Sequence, residues 1–184
     1  ELAIMDRVVG KDRVESEVRG IENYLIKAQH SNEMCIKSAP KYNLVHYFFL
    51  QRSFETAGLL PDVFDHDRME FIATELMKNS LEHGYKGNGN LPIVLSFKEN
   101  ENHTGFQIDH TDYGFGFSKK ESKSIRGHFL ITLENMLKEV GGSLEKKQAI
   151  EPSKETIEFI KNECPVFKPG QGATITLTGN IRLQ

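Results

Sequence analysis

Residues 93–109 read Ile93-Val94-Leu95-Ser96-Phe97, then a polar run from Glu99 to Thr104, then Phe106-Gln107-Ile108-Asp109. Ile93, Leu95 and Phe97 alternate with Val94 and Ser96, and Phe106 and Ile108 alternate with Gln107 and Asp109. A period of two on both sides of a polar turn predicts two strands of a hairpin with one face buried.

Outward from the hairpin the period changes. Upstream, Met69, Ile72, Ala73 and Leu76 give the buried stripe of a helix that Asp67 and Glu70 open as a capping box and that ends near Gly84. Before it, Leu44, Val45, Phe48 and Phe49 mark another helix, stopped by Gly58 and preceded by a short strand over Glu33 to Ser38. Downstream, Phe129, Leu133, Met136, Leu137 and Val140 mark a third long helix that stops at Gly141-Gly142. Strands follow at Ser143 to Lys147 and at Ala173 to Thr178, where Ala173, Ile175 and Leu177 face one way. Between them, Gln148 to Pro169 reads as an insertion in which Ile157 and Ile160 line a short amphipathic helical turn. This order predicts an α+β fold, a two-layer α/β sandwich whose mostly antiparallel mixed sheet carries helices on one face.

Residues 1–31 stand apart. Val14, Val18, Ile21 and Leu25 form a narrow stripe of about two heptads, read as an N-terminal linker or dimerisation helix before a domain spanning 32–184. The chain begins at Glu1 without methionine, which suggests a piece of a longer protein. Its 184 residues suffice for a core without disulfides or a structural metal. A formal charge of −3 with both signs interspersed gives no support to nucleic-acid binding. Cys35 and Cys164 belong to no C-x-x-C pair, which suits a reducing compartment, so the expectation is cytoplasmic. The longest apolar stretch, Tyr47 to Leu50, is too short to span a bilayer, and no membrane contact is expected.

Three stretches could carry chemistry. Glu75, Asn79 and His83 recur at i and i+4, a polar row beside the apolar stripe of its helix. Alone it fits a solvated face, with Lys78 and Glu82 as a surface ion pair. As a site, Asn79 offers an oxygen to Mg²⁺, which takes its other ligands from water and substrate phosphates, and Glu75 stands one turn away as a base. The second is Asp112-Tyr113-Gly114-Phe115-Gly116-Phe117, where alternate glycines permit close approach of the backbone. There Asp112 is either a turn former or an acceptor for an exocyclic amino group. The third, Gly170-Gln171-Gly172-Ala173-Thr174, leads into the last strand.

Taken in order, Glu75-x-x-x-Asn79-x-x-x-His83, Asp112-x-Gly114-x-Gly116-Phe117 and Gly170-x-Gly172-Ala173-Thr174 resemble the nucleotide-binding boxes of the Bergerat-type ATPases, the fold of gyrase, histidine kinases and anti-sigma factor kinases. The resemblance covers about Glu33 to Leu183. Ser38-Ala39-Pro40 through Glu82-His83-Gly84-Tyr85 is most similar to the anti-sigma factor serine/threonine kinases. It implies an ATP site in which Glu75 is the general base, Asn79 holds Mg²⁺, and Asp112 binds adenine. It also implies that Gly114, Gly116, Gly127 and Gly172 shape the pocket, that His83 borders it, and that Thr174 supports the adenine. The sequence departs from the family at the start of the third long helix: Arg126-Gly127-His128 keeps one glycine where G-x-G is usual, and only Ser118 to Ile125 remain for a lid. Arg126 is the residue to compensate, by contacting the γ-phosphate.

The function implied is transfer of the ATP γ-phosphoryl to a serine of a STAS-type anti-sigma antagonist, with a sigma factor as the alternative partner; for the N-terminal helix, packing on its own domain and a homodimer are equal alternatives. Two alternatives belong to other classes. One is the ATPase domain of a sensor histidine kinase, for which His30 is the candidate phosphoacceptor, although Gln29-His30-Ser31-Asn32 lacks the usual surroundings. The other is a non-catalytic module in which nucleotide gates a protein interaction.

Overall fold

A computed structural model describes residues 11–59, 64–116 and 128–181, with side chains from Gly20 onward except that of His128. Among them are five α-helices and five strands. Helix α1 spans Lys11–His30, β1 Glu33–Lys37, α2 Asn43–Thr56, α3 His66–Asn79, β2 Pro92–Glu99 and β3 Gly105–Asp112. Helix α4 spans His128–Lys138, β4 Ser143–Gln148, α5 Lys154–Glu163 and β5 Ala173–Asn180. The strands form one sheet in the order β1-β2-β3-β5-β4. All four pairings are antiparallel, so the sheet is not mixed as expected.

Period-two patterning places Ile93, Leu95, Ile108, Ile175 and Leu177 on one face of the sheet. They meet Val45 and Phe49 of α2, Ile72 and Leu76 of α3, and Leu133 and Leu137 of α4 in a single apolar core. Phe54 stacks on Phe64 within it, ring centroids 4.1 Å apart. Helix α2 gives way at Gly58, whose φ of 68° is the left-handed conformation that lets the Leu59 N–H turn back to the Phe54 carbonyl at 2.9 Å. The N-cap of α3 is Asp65, which accepts from the Arg68 N–H at 2.9 Å, so the box expected at Asp67 lies two residues too late.

The end of α1 packs on this domain. Ala28 is fully buried, and Tyr24 meets Tyr42 edge to face at 5.3 Å. Val14 and Val18 lie where side chains are not described.

The expectation of helices on one face alone is corrected by α5. The insertion folds into a ten-residue helix, capped by Ser153, and packs on the opposite face of β1 and β2. There Ile160 joins Cys35, Val94 and Tyr113 in a second, smaller apolar cluster. Polar ties fix its pose. Glu163 pairs with Lys37 at 2.8 Å, the Ser153 hydroxyl donates to Glu33 at 2.8 Å, and the Cys35 thiol reaches Thr156 Oγ1 at 3.5 Å. Of the two isoleucines expected to line this helix, Ile160 is buried and Ile157 is largely exposed. No described helix is long and apolar enough to cross a membrane.

Candidate functional site

The polar row begins on α3 and does not continue as an ideal helix. Glu75 and Asn79 are half-buried, but from Ser80 to Gly84 the chain turns as a π-helix, with Tyr85 N–H donating to the Ser80 carbonyl at 2.8 Å. The wider turn takes His83 out of register with the row and leaves it exposed. It also carries Ser80 and Gly84 inward, where both are buried. Lys78 pairs with Glu75 at 3.7 Å and not with Glu82.

Gly84 meets the end of β3. A Cβ on Gly84 would stand 2.7 Å from Asp112 Oδ1, and one on Gly114 would stand 1.9 Å from the Gly84 carbonyl oxygen, so both positions require the missing side chain. The Phe115 N–H donates to that carbonyl at 2.9 Å. From the other side, Gly170 N–H donates to Tyr113 O at 2.7 Å and Gly172 N–H to Gly114 O at 3.0 Å. A Cβ on Gly116 would lie 2.7 Å from the Gly172 carbonyl. Tyr85 fastens the arrangement: its hydroxyl donates to the Pro92 carbonyl and accepts from the Tyr113 N–H. Phe167 of the insertion packs edge to face on its ring.

Asp112 is the centre of this knot and is buried. Desolvation raises its carboxyl from 3.8 to about 6, opposed by donation from Gly114 N–H, the Ser80 hydroxyl and the Ala173 backbone. Gly114 N–H reaches Oδ1 at 3.0 Å and Ser80 Oγ reaches Oδ2 at 3.3 Å. An ionised carboxylate has about four acceptor positions, so three donors leave one for a ligand. At the rim, Phe115 is exposed with Lys86 Nζ 3.9 Å from its ring centroid, a cation and aromatic pair that the sequence reading did not single out.

The structure therefore brings Asp112, Gly114, Gly116 and Gly172 together and adds Ser80, Gly84 and Tyr85, which the sequence reading did not assign. Thr174 does not join them. It pairs in register with Thr111, bonds to its hydroxyl at 2.8 Å and accepts from the Ile150 N–H, all on the opposite face; Ala173 is the residue across from Asp112. Arg126, Gly127 and the lid segment Ser118 to Ile125 lie outside the described residues. Among the described residues no group of three His, Cys, Asp or Glu side chains could hold a metal ion. Any Mg²⁺ here would need oxygen ligands from a phosphate in addition to Asn79.

No family model matches the chain, and no curated protein matches it.

Proposed function

We propose that the chain binds Mg²⁺-ATP at the Asp112 end of β3 and acts as an anti-sigma-type serine kinase. The observation that supports this is the convergence of the three boxes: Gly84, Asp112-x-Gly114 and Gly170-x-Gly172, distant in sequence, are hydrogen-bonded around one carboxylate with acceptor capacity to spare. Asp112 would accept from the adenine amino group at its remaining acceptor position. Asn79 would hold Mg²⁺, which supplies charge neutralisation to the phosphates when bound. Glu75, one turn back on α3, would accept the proton of the incoming serine. The serine oxygen bonds to the γ-phosphorus as the bond to the β–γ bridging oxygen breaks, and ADP departs with that electron pair. The acceptor would be a STAS-type antagonist. His30 ends a helix docked on its own domain, an arrangement that favours the serine kinase over the histidine kinase.

Titration calorimetry with ATP, with and without Mg²⁺, tests the site. Asp112→Asn should weaken binding by about 1–3 kcal/mol, because the amide mismatches the base edge in a buried position. Labelled phosphoryl transfer to STAS-type candidates tests the chemistry, and Glu75→Gln should slow it roughly 10²–10⁴-fold while ATP still binds. A parent that takes up no ATP defeats the reading. One that binds without transfer leaves a nucleotide-gated interaction module.

A further inference from the structure

Beneath Asp112 a line of buried polar groups runs into the core. Ser80 Oγ lies 3.3 Å from Asp112 Oδ2 and 2.8 Å from His110 Nε2, and the His110 ring lies against His46 of α2, centroids 5.0 Å apart and planes tilted by 33°. Both histidines are essentially inaccessible to solvent; among the described residues Nδ1 of His110 has no hydrogen-bond partner, and the His46 ring has none better than a loose approach to the Ala73 backbone. In the middle of an apolar core such groups are costly, and packing alone would be served better by leucine or phenylalanine.

The proton inventory gives the line a direction. Burial holds both imidazoles neutral at neutral pH, so each carries one N–H. With that proton on Nε2, His110 donates to Ser80 Oγ and Ser80 donates to Asp112, and the only unmet group on His110 is the Nδ1 lone pair. With the proton on Nδ1, the Ser80 hydroxyl turns to His110, Asp112 Oδ2 loses its donor, and a buried N–H is orphaned. The first assignment uses every proton in the line and leaves Asp112 as a pure acceptor.

We propose that His110 and Ser80 are positioning residues for nucleotide recognition: His110, acting through the Ser80 hydroxyl, fixes Asp112 as the ionised acceptor that reads an amino-bearing base. The proposal rests on the nucleotide-binding reading above and adds two residues to it. The titratable groups packed around the line are His46 from α2, His110 from β3 and Tyr85 after the π-turn. The neighbouring strands bring Ile93 and Ala173, which do not titrate.

The test uses the full chain and two measurements. Asp112 is titrated directly by the carbon-13 shift of its labelled carboxyl, assigned through Asp112→Asn, and ATP affinity is measured by calorimetry across the same pH range. The parent should titrate near pH 6. In Ser80→Ala, which removes a donor from Asp112, the midpoint should rise by about one unit, and in His110→Phe, which removes the donor that turns the Ser80 hydroxyl toward Asp112, it should rise in the same direction by less. ATP affinity at pH 6.5 should then fall about threefold, with little change at pH 8.5. His110→Gln, whose amide can donate in place of Nε2–H, should restore both. Midpoints that stay at the parent value in folded Ser80→Ala and His110→Phe, or that move as far in His110→Gln, overturn the proposal. Should Ser80→Ala not fold, the two His110 variants decide. A parent that binds no ATP at any pH overturns the nucleotide reading, while midpoints that shift as expected in the variants still establish the donor line.

Discussion

Asp109 and Asp112 stand on the same strand, and the pleat sends them to opposite faces of the sheet. Asp109 is 1% exposed and fully engaged: Thr176 donates at 2.6 Å, Gln107 at 2.7 Å and Ser96 at 3.3 Å, and Lys147 Nζ lies 3.8 Å away. Four partners fill about four acceptor positions, so this carboxylate has nothing left to offer a ligand. Asp112 is almost as buried but less well served, and it is held near the edge of ionisation beside glycines whose missing side chains let the backbone close around it. The difference shows how one element type yields a structural hub and a candidate site: the number of donors decides, and burial does not.

The largest disturbance should come from Gly114→Ala. Its new methyl would meet the Gly84 carbonyl, backbone against backbone, where no side-chain rotation relieves the clash. Urea denaturation should register a loss of about 3 kcal/mol, at the upper end for overpacking. A loss below about 1 kcal/mol would mean that the two segments do not touch. Next, Asp109→Ala orphans the buried donors of Ser96 and Thr176 and should cost about 2–3 kcal/mol with ATP affinity preserved among folded molecules. If ATP affinity collapsed instead, the division of labour between the two carboxylates would be wrong.

A third effect separates the faces by pH. His46 has its folded pKa lowered to about 4 from 6.5, so as pH falls the unfolded chain takes up the proton first. It therefore costs the fold stability progressively between about pH 6.5 and 4. His46→Leu should gain about 2 kcal/mol at pH 5 relative to its effect at pH 8, and a gain independent of pH would contradict the buried, neutral imidazole. Asp112 works in the opposite sense. Its raised carboxyl favours the fold below about pH 4, and that contribution fades as pH climbs through 6. The smallest stability change is expected for Asp112→Asn at pH 7, within about 1 kcal/mol of the parent, although its ATP affinity drops. A much larger loss would class Asp112 with Asp109 as a structural hub.

Periodicity carried much of the fold. The hairpin around Glu99 to Thr104, the apolar faces of α2, α3 and α4, and the glycine stops are local patterns with local causes. The face taken by α5 was not legible, because an amphipathic ten-residue helix states that it must cover something and not which side of a sheet it will cover. Residue spacing likewise placed Glu75, Asn79 and His83 on one helical row, and a single π-turn removed His83 from it. Asp112 and its glycines were readable as a motif. Ser80, His110 and His46 were not, since a histidine at an inward strand position carries no sign of the helix it will meet. Thr174 stands one position beyond Ala173, the partner of Asp112, and on a strand one position means the opposite face.

The place of β3 in the order β1-β2-β3-β5-β4 has a further consequence for persistence in time. It is laddered on both sides, to β2 and to β5, along nearly its whole length. Its amide hydrogens alternate between the two ladders, so nearly every one is bonded and exchanges only when its ladder opens; they should be among the slowest in the molecule, whereas the alternate amides on the outer edge of β4 have no ladder to hold them. Asp112 therefore hangs from a strand expected to open last, and the glycine segments about it are tied to the end of that strand by the Gly170 and Gly172 amides. A ligand arriving there would meet an acceptor already held in place before it binds.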